Sequence, residues 1–475
     1  MIAAPERRAQ AQDQAEFNEA YVWTISIVAA MGGLLFGYDW IVISGTDLFY
    51  EAHFHLTSSL EIGWAKSSAL LGCLIGALVS GALSDRFGRK RLLLLSALLF
   101  AVSSVATGLA GSFTVFVLWR IAGGAAIGLA SNLSPMYIAE VAPAETRGRL
   151  VALNQLTIVI GILLAQFVNW RIGSLHPLPD QPTTDQIAAS WSGQMGWRWM
   201  FGVTAGPSLL FLIGMFFVPE SPRWLAKNGK PEQARAILAK IGGSDYAGAA
   251  LADIQATLIN ETQQVNFRDL LEPKLKRMLF LGIALAVLQQ WCGINVIFYY
   301  AKDVFKDSGF KVADILINIV FIGSVNLLAT LVALKTVDRW GRRPLMLFGY
   351  AGLTVLFVVM GLCFALHTRG VHMLALVLAA IACYAMSLAP ITWVLIAEIF
   401  PNRIRGAAMS VAVTSLWIAC FVLTETFPLL REHLGPAITF WIYAVICLFG
   451  FLLFRAKLPE TKGKTLEQLE TELVD

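Results

Sequence analysis

Apolar residues in this chain neither alternate nor form stripes. They come in long runs separated by polar breaks. A helix that crosses a bilayer needs about 20 mostly apolar residues. Runs of that kind lie near 21–48, 61–83, 92–110, 113–138, 149–171, 197–218, 277–301, 314–336, 345–366, 372–397, 407–430 and 435–455. They predict an all-α membrane protein with about twelve transmembrane helices. Most breaks are short, but Pro219 to Lys276 is long and polar, and its PESPRWLAKNGKPEQARAILAKI predicts short surface helices. The expected order is a tail over 1–20, six helices over 21–218, a linker over 219–276, six helices over 277–455 and a tail over 456–475.

Composition agrees with this pattern. Of 475 residues, 57% are hydrophobic and 14% charged, with 36 Lys and Arg against 32 Asp and Glu. A soluble protein of this length would carry about 119 charged residues. Net charge +4 is too small and too dilute for a disordered or nucleic-acid-binding chain. The six cysteines all sit in apolar runs without metal or redox spacing and read as reduced; no metal or cofactor site is expected. Residues 1–20 lack an apolar core, so no cleaved signal peptide is expected.

Charge also orients the chain. Arg86, Arg89, Lys90 and Arg91 follow the second run, and Arg339, Arg342 and Arg343 follow the eighth. Arg147 and Arg149 follow the fourth, and Arg403 and Arg405 the tenth. Basic linkers stay cytoplasmic, which puts both termini and the long linker inside. Lys302, Lys306 and Lys311, beside Asp303, Asp307 and Asp314, are an exception on the outer side.

The two halves repeat each other. SDRFGRK at 84–90 answers VDRWGRR at 337–343, EVAPAETRGRL at 140–150 answers EIFPNRIRGAA at 398–408, and PESPRWL at 219–225 answers PETKGKT at 459–465. Two pseudo-symmetric six-helix bundles, with a binding site between them near the midplane, are one transporter architecture. With GGLLFGYD, WRIAGG, PMYIAE and QQWCGINVIFYY in order, the chain from about Gly32 to Thr465 resembles the major facilitator superfamily, and within it the sugar porter family. It is similar both to bacterial sugar–proton symporters and to facilitative glucose carriers. The resemblance implies a cell-membrane carrier, not an enzyme, working as a monomer and exchanging its solute by alternating access.

The inner-face motifs place Asp85 with Arg89, Glu140 with Arg147, Asp338 with Arg342 and Glu398 with Arg405 at helix ends, with Glu220, Arg223 and Glu460 near them. Such charges can pair between spans and hold the inner side closed, or simply anchor helix ends at the interface. Within the spans, Asp39 lies about 25 Å from the inner start of its helix and Arg120 about 20 Å from the inner side. At matching depth they can pair. The resemblance gives Asp39 a proton-coupling role with Arg120, since proton-coupled members carry Asp there and facilitative ones Asn. One departure is Thr204, where a symporter pattern has a Glu that aids proton transfer.

A sugar site needs amides, which donate and accept, and aromatic rings to stack on. Gln289, Gln290, Asn295 and Tyr299 on span 7, Asn326 on span 8, Trp393 on span 10, Trp417 on span 11 and Gln155 on span 5 supply them. Each matches a sugar-binding position of the family, and Phe36 and Tyr300 match flanking ones. Leu416 and Ala389 depart from the family pattern, which leaves the sugar open. The expected function is import of a hexose or pentose with a proton. An uncoupled uniporter is the alternative, favoured by Thr204 and opposed by Asp39. A sugar sensor is further off, because the tail after Arg455 is about twenty residues rather than a long signalling domain.

Overall fold

The computed structural model describes residues 16–179, 182–260, 273–368, 370–400 and 405–462, the side chains of 259–260, 273–274, 312–313, 337–338, 397 and 405–406 aside. The described residues contain no strand. The first half comprises α1 (Glu19–His53), α2 (Ser59–Phe87), α3 (Arg89–Gly108), α4 (Phe113–Val141) and α5 (Arg147–Gly173). Its sixth crossing follows the short α6 (Thr184–Ala189) and a π-turn (Ser192–Gly196), and is split into α7 (Trp197–Gly202) and α8 (Ala205–Phe217). The linker contributes α9 (Pro222–Lys227) and α10 (Pro231–Asn260).

In the second half, span 7 is α11 (Pro273–Trp291), α12 (Ile294–Tyr299) and α13 (Ala301–Asp307). Then come α14 (Val312–Trp340), α15 (Arg342–Ala365), α16 (Val371–Met386), α17 (Leu388–Glu398) and α18 (Arg405–Lys457). Eleven helical segments are long and apolar enough to cross a membrane. At about 1.5 Å per residue, α18 is long enough to cross twice, and its backbone turns at Gly435, where φ is 76°. The expected twelve crossings are all present.

Pro390 and Pro428 lie within spans, and only one of them coincides with a break. Span 10 breaks at Ser387, directly after Met386. That is where the ring of Pro390 would meet the carbonyl four residues back. Pro428 instead sits inside α18 without a non-helical residue beside it.

Close approach of helices depends on missing side chains. A Cβ on Gly72 would lie 2.0 Å from the Ile121 carbonyl oxygen, and one on Gly124 would lie 1.9 Å from that of Ala69. The reciprocal contact locks α2 to α4 with backbones in van der Waals touch, as small-residue spacing in membrane helices allows. The halves meet along α2 with α18 and along α5 with α14, a pairing that respects their pseudo-symmetry.

Candidate functional site

On the basic face, the repeated motifs build the same joint twice. Gly88 between α2 and α3 has φ 91°, and Gly341 between α14 and α15 has φ 88°. Only glycine adopts this region easily, and a Cβ would meet Glu220 Oε2 at 2.2 Å or Glu460 Oε2 at 2.8 Å. Glu220 accepts from the backbone N–H of Arg89 at 2.9 Å and of Lys90 at 3.1 Å. Glu460 accepts from those of Arg342 at 3.0 Å and Arg343 at 3.1 Å. Each carboxylate thus satisfies the orphan donors that begin a helix and faces the positive end of its dipole. Lys90 then reaches the Phe216 carbonyl at 2.8 Å, and Arg343 that of Arg455 at 2.8 Å, tying span 3 to span 6 and span 9 to span 12.

Partial burial pushes the Glu460 carboxyl up. Backbone N–H groups of Lys462, Arg342, Arg343 and Thr461 outweigh that and hold it below the ordinary Glu range.

Among the described residues, the following side-chain pairs on this face each stay within one half. Arg89 bonds Glu140 at 2.9 Å and Asp85 at 3.4 Å, and Lys227 of α9 joins Asp85 at 3.0 Å. Arg342 meets Glu398 at 3.3 Å, whose other oxygen accepts from Thr461 at 2.5 Å. The expected Glu140–Arg147 pair does not form. Glu140 is taken by Arg89 from the neighbouring span, while Arg147 begins α5 exposed and without an ion pair among the described residues. Arg223 is half-buried on α9. The side chains of Asp338 and Arg405 lie outside the described residues.

Deep in the first half, Arg120 of α4 meets Asp39 of α1. Nη1 lies 3.3 Å from each carboxylate oxygen and 3.4 Å from the Asp39 carbonyl, and both side chains are at most 4% exposed. Gly123, one turn on from Arg120, packs beside the pair: a Cβ there would lie 3.1 Å from Ser103 Oγ and 3.4 Å from Asp39 Oδ2. Thr204 is fully buried.

In the second half the amides join end to end. Asn295 donates to Gln290, Gln290 donates to Gln289 at 2.5 Å, and Gln289 donates to the Tyr384 hydroxyl of α16. Asn295 also lies 3.7 Å from the Cys420 sulfur of α18. One turn before Cys420, Trp417 faces Phe36 of α1 at 6.2 Å between ring centroids. Tyr299 meets Trp40 of α1 at 5.0 Å. Aromatic contacts therefore carry this assembly across to the first half. Gln155 on α5 and Asn326 on α14 make no hydrogen bond to it, and Trp393 stands 42% exposed on α17. Tyr384 and Cys420 escaped the sequence reading; each is a single residue with a polar tip in an apolar run, which is the only signal it gives.

Comparison with known proteins places this geometry. The family described as sugar (and other) transporter matches residues 25–473. A D-xylose-proton symporter of Escherichia coli (strain K12) is 39% identical over 486 residues, with 96% of each chain covered. A glucose transport protein of Synechocystis sp. is 39% identical over 470 residues, with 96% of this chain and 98% of that one covered. The solved xylose transporter of E. coli, in a partially occluded inward-open conformation, matches with a TM-score of 0.82 at 37% identity, over 94% of this chain and 100% of that one.

Proposed function

The chain belongs to the sugar (and other) transporter family, and from this we propose that it imports a monosaccharide together with a proton by alternating access. The reading rests on one observation above others. Two polar assemblies stand within the spans: the Asp39–Arg120 pair in one half and the amide chain in the other.

Asp39 is the proton acceptor. Ionised, it is held by Arg120; protonated, it loses the charge that Arg120 attracts, and α1 is free to shift against α4. The amides of Gln289, Gln290 and Asn295 satisfy one another when no sugar is present, so binding exchanges internal hydrogen bonds for sugar hydroxyls rather than leaving buried groups bare. Trp417 and Tyr299 offer rings to a sugar face, with Gln155, Asn326 and Trp393 completing the site as the halves close. The charge pairs around Arg89 and Arg342 belong to the inner gate.

The protein spans a cell membrane many times. In this reading its basic face with α9 and α10 lies on the cytoplasmic side together with both termini, as the positive-inside rule supports, and a single chain surrounded by lipid carries out transport. Similar identity to a xylose symporter and to a glucose transport protein supports a hexose or pentose without choosing between them. An uncoupled uniporter is the second reading, favoured by Thr204 where a second acid would serve proton transfer.

The test is uptake into proteoliposomes across a panel of hexoses and pentoses, with and without an inward proton gradient. Gradient-driven accumulation of one sugar, lost in Asp39→Asn while sugar counterflow persists, is the expected result. Accumulation that survives Asp39→Asn overturns the coupling role, and absence of any sugar counterflow overturns the substrate class.

A further inference from the structure

Opposite the basic face, the halves are joined by buried charge. Lys66 of α2 is fully buried. Its ammonium bonds Asp47 of α1 at 2.7 Å and the Tyr299 carbonyl of the second half at 3.0 Å, and lies 3.9 Å from the Tyr300 ring centroid. It is also 3.9 Å from Asp303 of α13. Lys302 of α13 answers from the other side, bonded to Glu51 of α1 and 3.9 Å from Asp47. Five cross-half links, the ring contact included, therefore depend on two lysines.

The segment they grip is bounded by breaks. Gly293 is left-handed at the start of α12, and Tyr300 interrupts the helix between α12 and α13. Tyr299, whose carbonyl Lys66 holds, is also a candidate sugar contact, so the same short segment carries both.

Each lysine keeps an acid of its own half, Lys66 with Asp47 and Lys302 with Asp303 at 4.0 Å. Stranding a buried charge is what makes breaking an ion pair severe. Here, parting the halves strands none: every cation leaves with an acidic neighbour, and water enters the gap. This is the arrangement a reversible contact requires and a static cross-link does not.

We propose that Lys66 and Lys302 are positioning residues that latch the outer side of the carrier, holding α13 of the second half against α1 and α2 of the first. Release of the latch turns the protein outward. The assignment rests on the alternating-access reading and its orientation, but not on which solute is carried.

The test uses the full chain in nanodiscs, without sugar or proton gradient, on a Cys363→Ser background, since the other five cysteines are buried. Spin labels at Leu109→Cys and Val371→Cys, both exposed and on opposite halves, report the outer separation by electron–electron resonance. In the parent, the short distance dominates. In Lys66→Met and Lys302→Met, a longer one rises to the majority, a shift of about tenfold or more in the equilibrium, and Lys66→Arg restores the parent distribution. Labels at Leu60→Cys and Leu109→Cys, both in the first half, stay at one distance and exclude misfolding. If Lys66→Met does not fold, Glu51→Leu, which removes the acceptor for Lys302 and leaves Lys66 with Asp47, must give the same shift. Cross-half distances unchanged in the folded variants overturn the latch. Failure of sugar transport with the shift intact would count against the substrate reading alone.

Discussion

Arg120 points one nitrogen at both carboxylate oxygens of Asp39, 3.3 Å from each, in a pocket where neither side chain is more than 4% exposed. The two residues sit 81 positions apart in the chain, and helix rise alone brought them to one depth. Removing one partner leaves a buried charge uncompensated, at a cost of about 3–5 kcal/mol. Arg120→Met and Asp39→Asn should therefore each destabilise the protein, and the double variant should recover much of the loss. Thermal unfolding in detergent across the four-member cycle gives the coupling. Additive effects would mean that the pair does not act as a unit.

The amide chain makes Gln290 the middle link between Gln289 and Asn295. Gln290→Leu removes it while keeping the volume. Counterflow should then show a sugar KM raised about tenfold or more, equivalent to about 1.4 kcal/mol, with thermal stability close to that of the parent. A proportionate loss of stability would make Gln290 a packing residue.

Glu460 gives a pH dependence with a definite sign. Its folded-state pKa is depressed, so the stability it contributes is present above the ordinary Glu pKa and is lost as pH falls through the lowered value. The melting temperature of the parent should drop faster than that of Glu460→Gln as pH is lowered below about 4.5, while at neutral pH the parent is the more stable. Parallel curves would show that the backbone N–H groups do not depend on the ionised form.

Glycines of α2 allow an internal comparison. A Cβ on Gly72 meets the Ile121 carbonyl at 2.0 Å, whereas one on Gly81 meets nothing within 4 Å. Gly72→Ala should cost about 1–3 kcal/mol by forcing α2 from α4, and Gly81→Ala should be neutral or stabilising through helix propensity. Fluorescence-detected gel filtration after heating separates the two.

Much of this was legible in the sequence, because membrane helices must satisfy their own backbone and so appear as apolar runs. The crossings, the repeated motifs and the depth of Asp39 and Arg120 all follow from that. What escaped were partners supplied by packing. Glu140 had Arg147 near it in sequence but Arg89 near it in space. Lys302 and Asp303 looked like a flaw in the charge rule for orientation; buried against Lys66, Asp47 and Glu51, they are not surface charges at all. Near a span end, a charge facing lipid headgroups and one facing another helix have the same sequence signature. Glu220 and Glu460, too, were expected among side-chain pairs and are used instead on backbone N–H groups.

Those two glutamates make the molecule its own replicate experiment. Glu220 and Glu460 perform one task at two addresses, on the same chain, in the same membrane, at the same temperature. Any difference between the effects of removing one and removing the other measures how far their surroundings differ. Pairs of proteins usually have to be compared across organisms to ask that; here the comparison is folded into a single polypeptide.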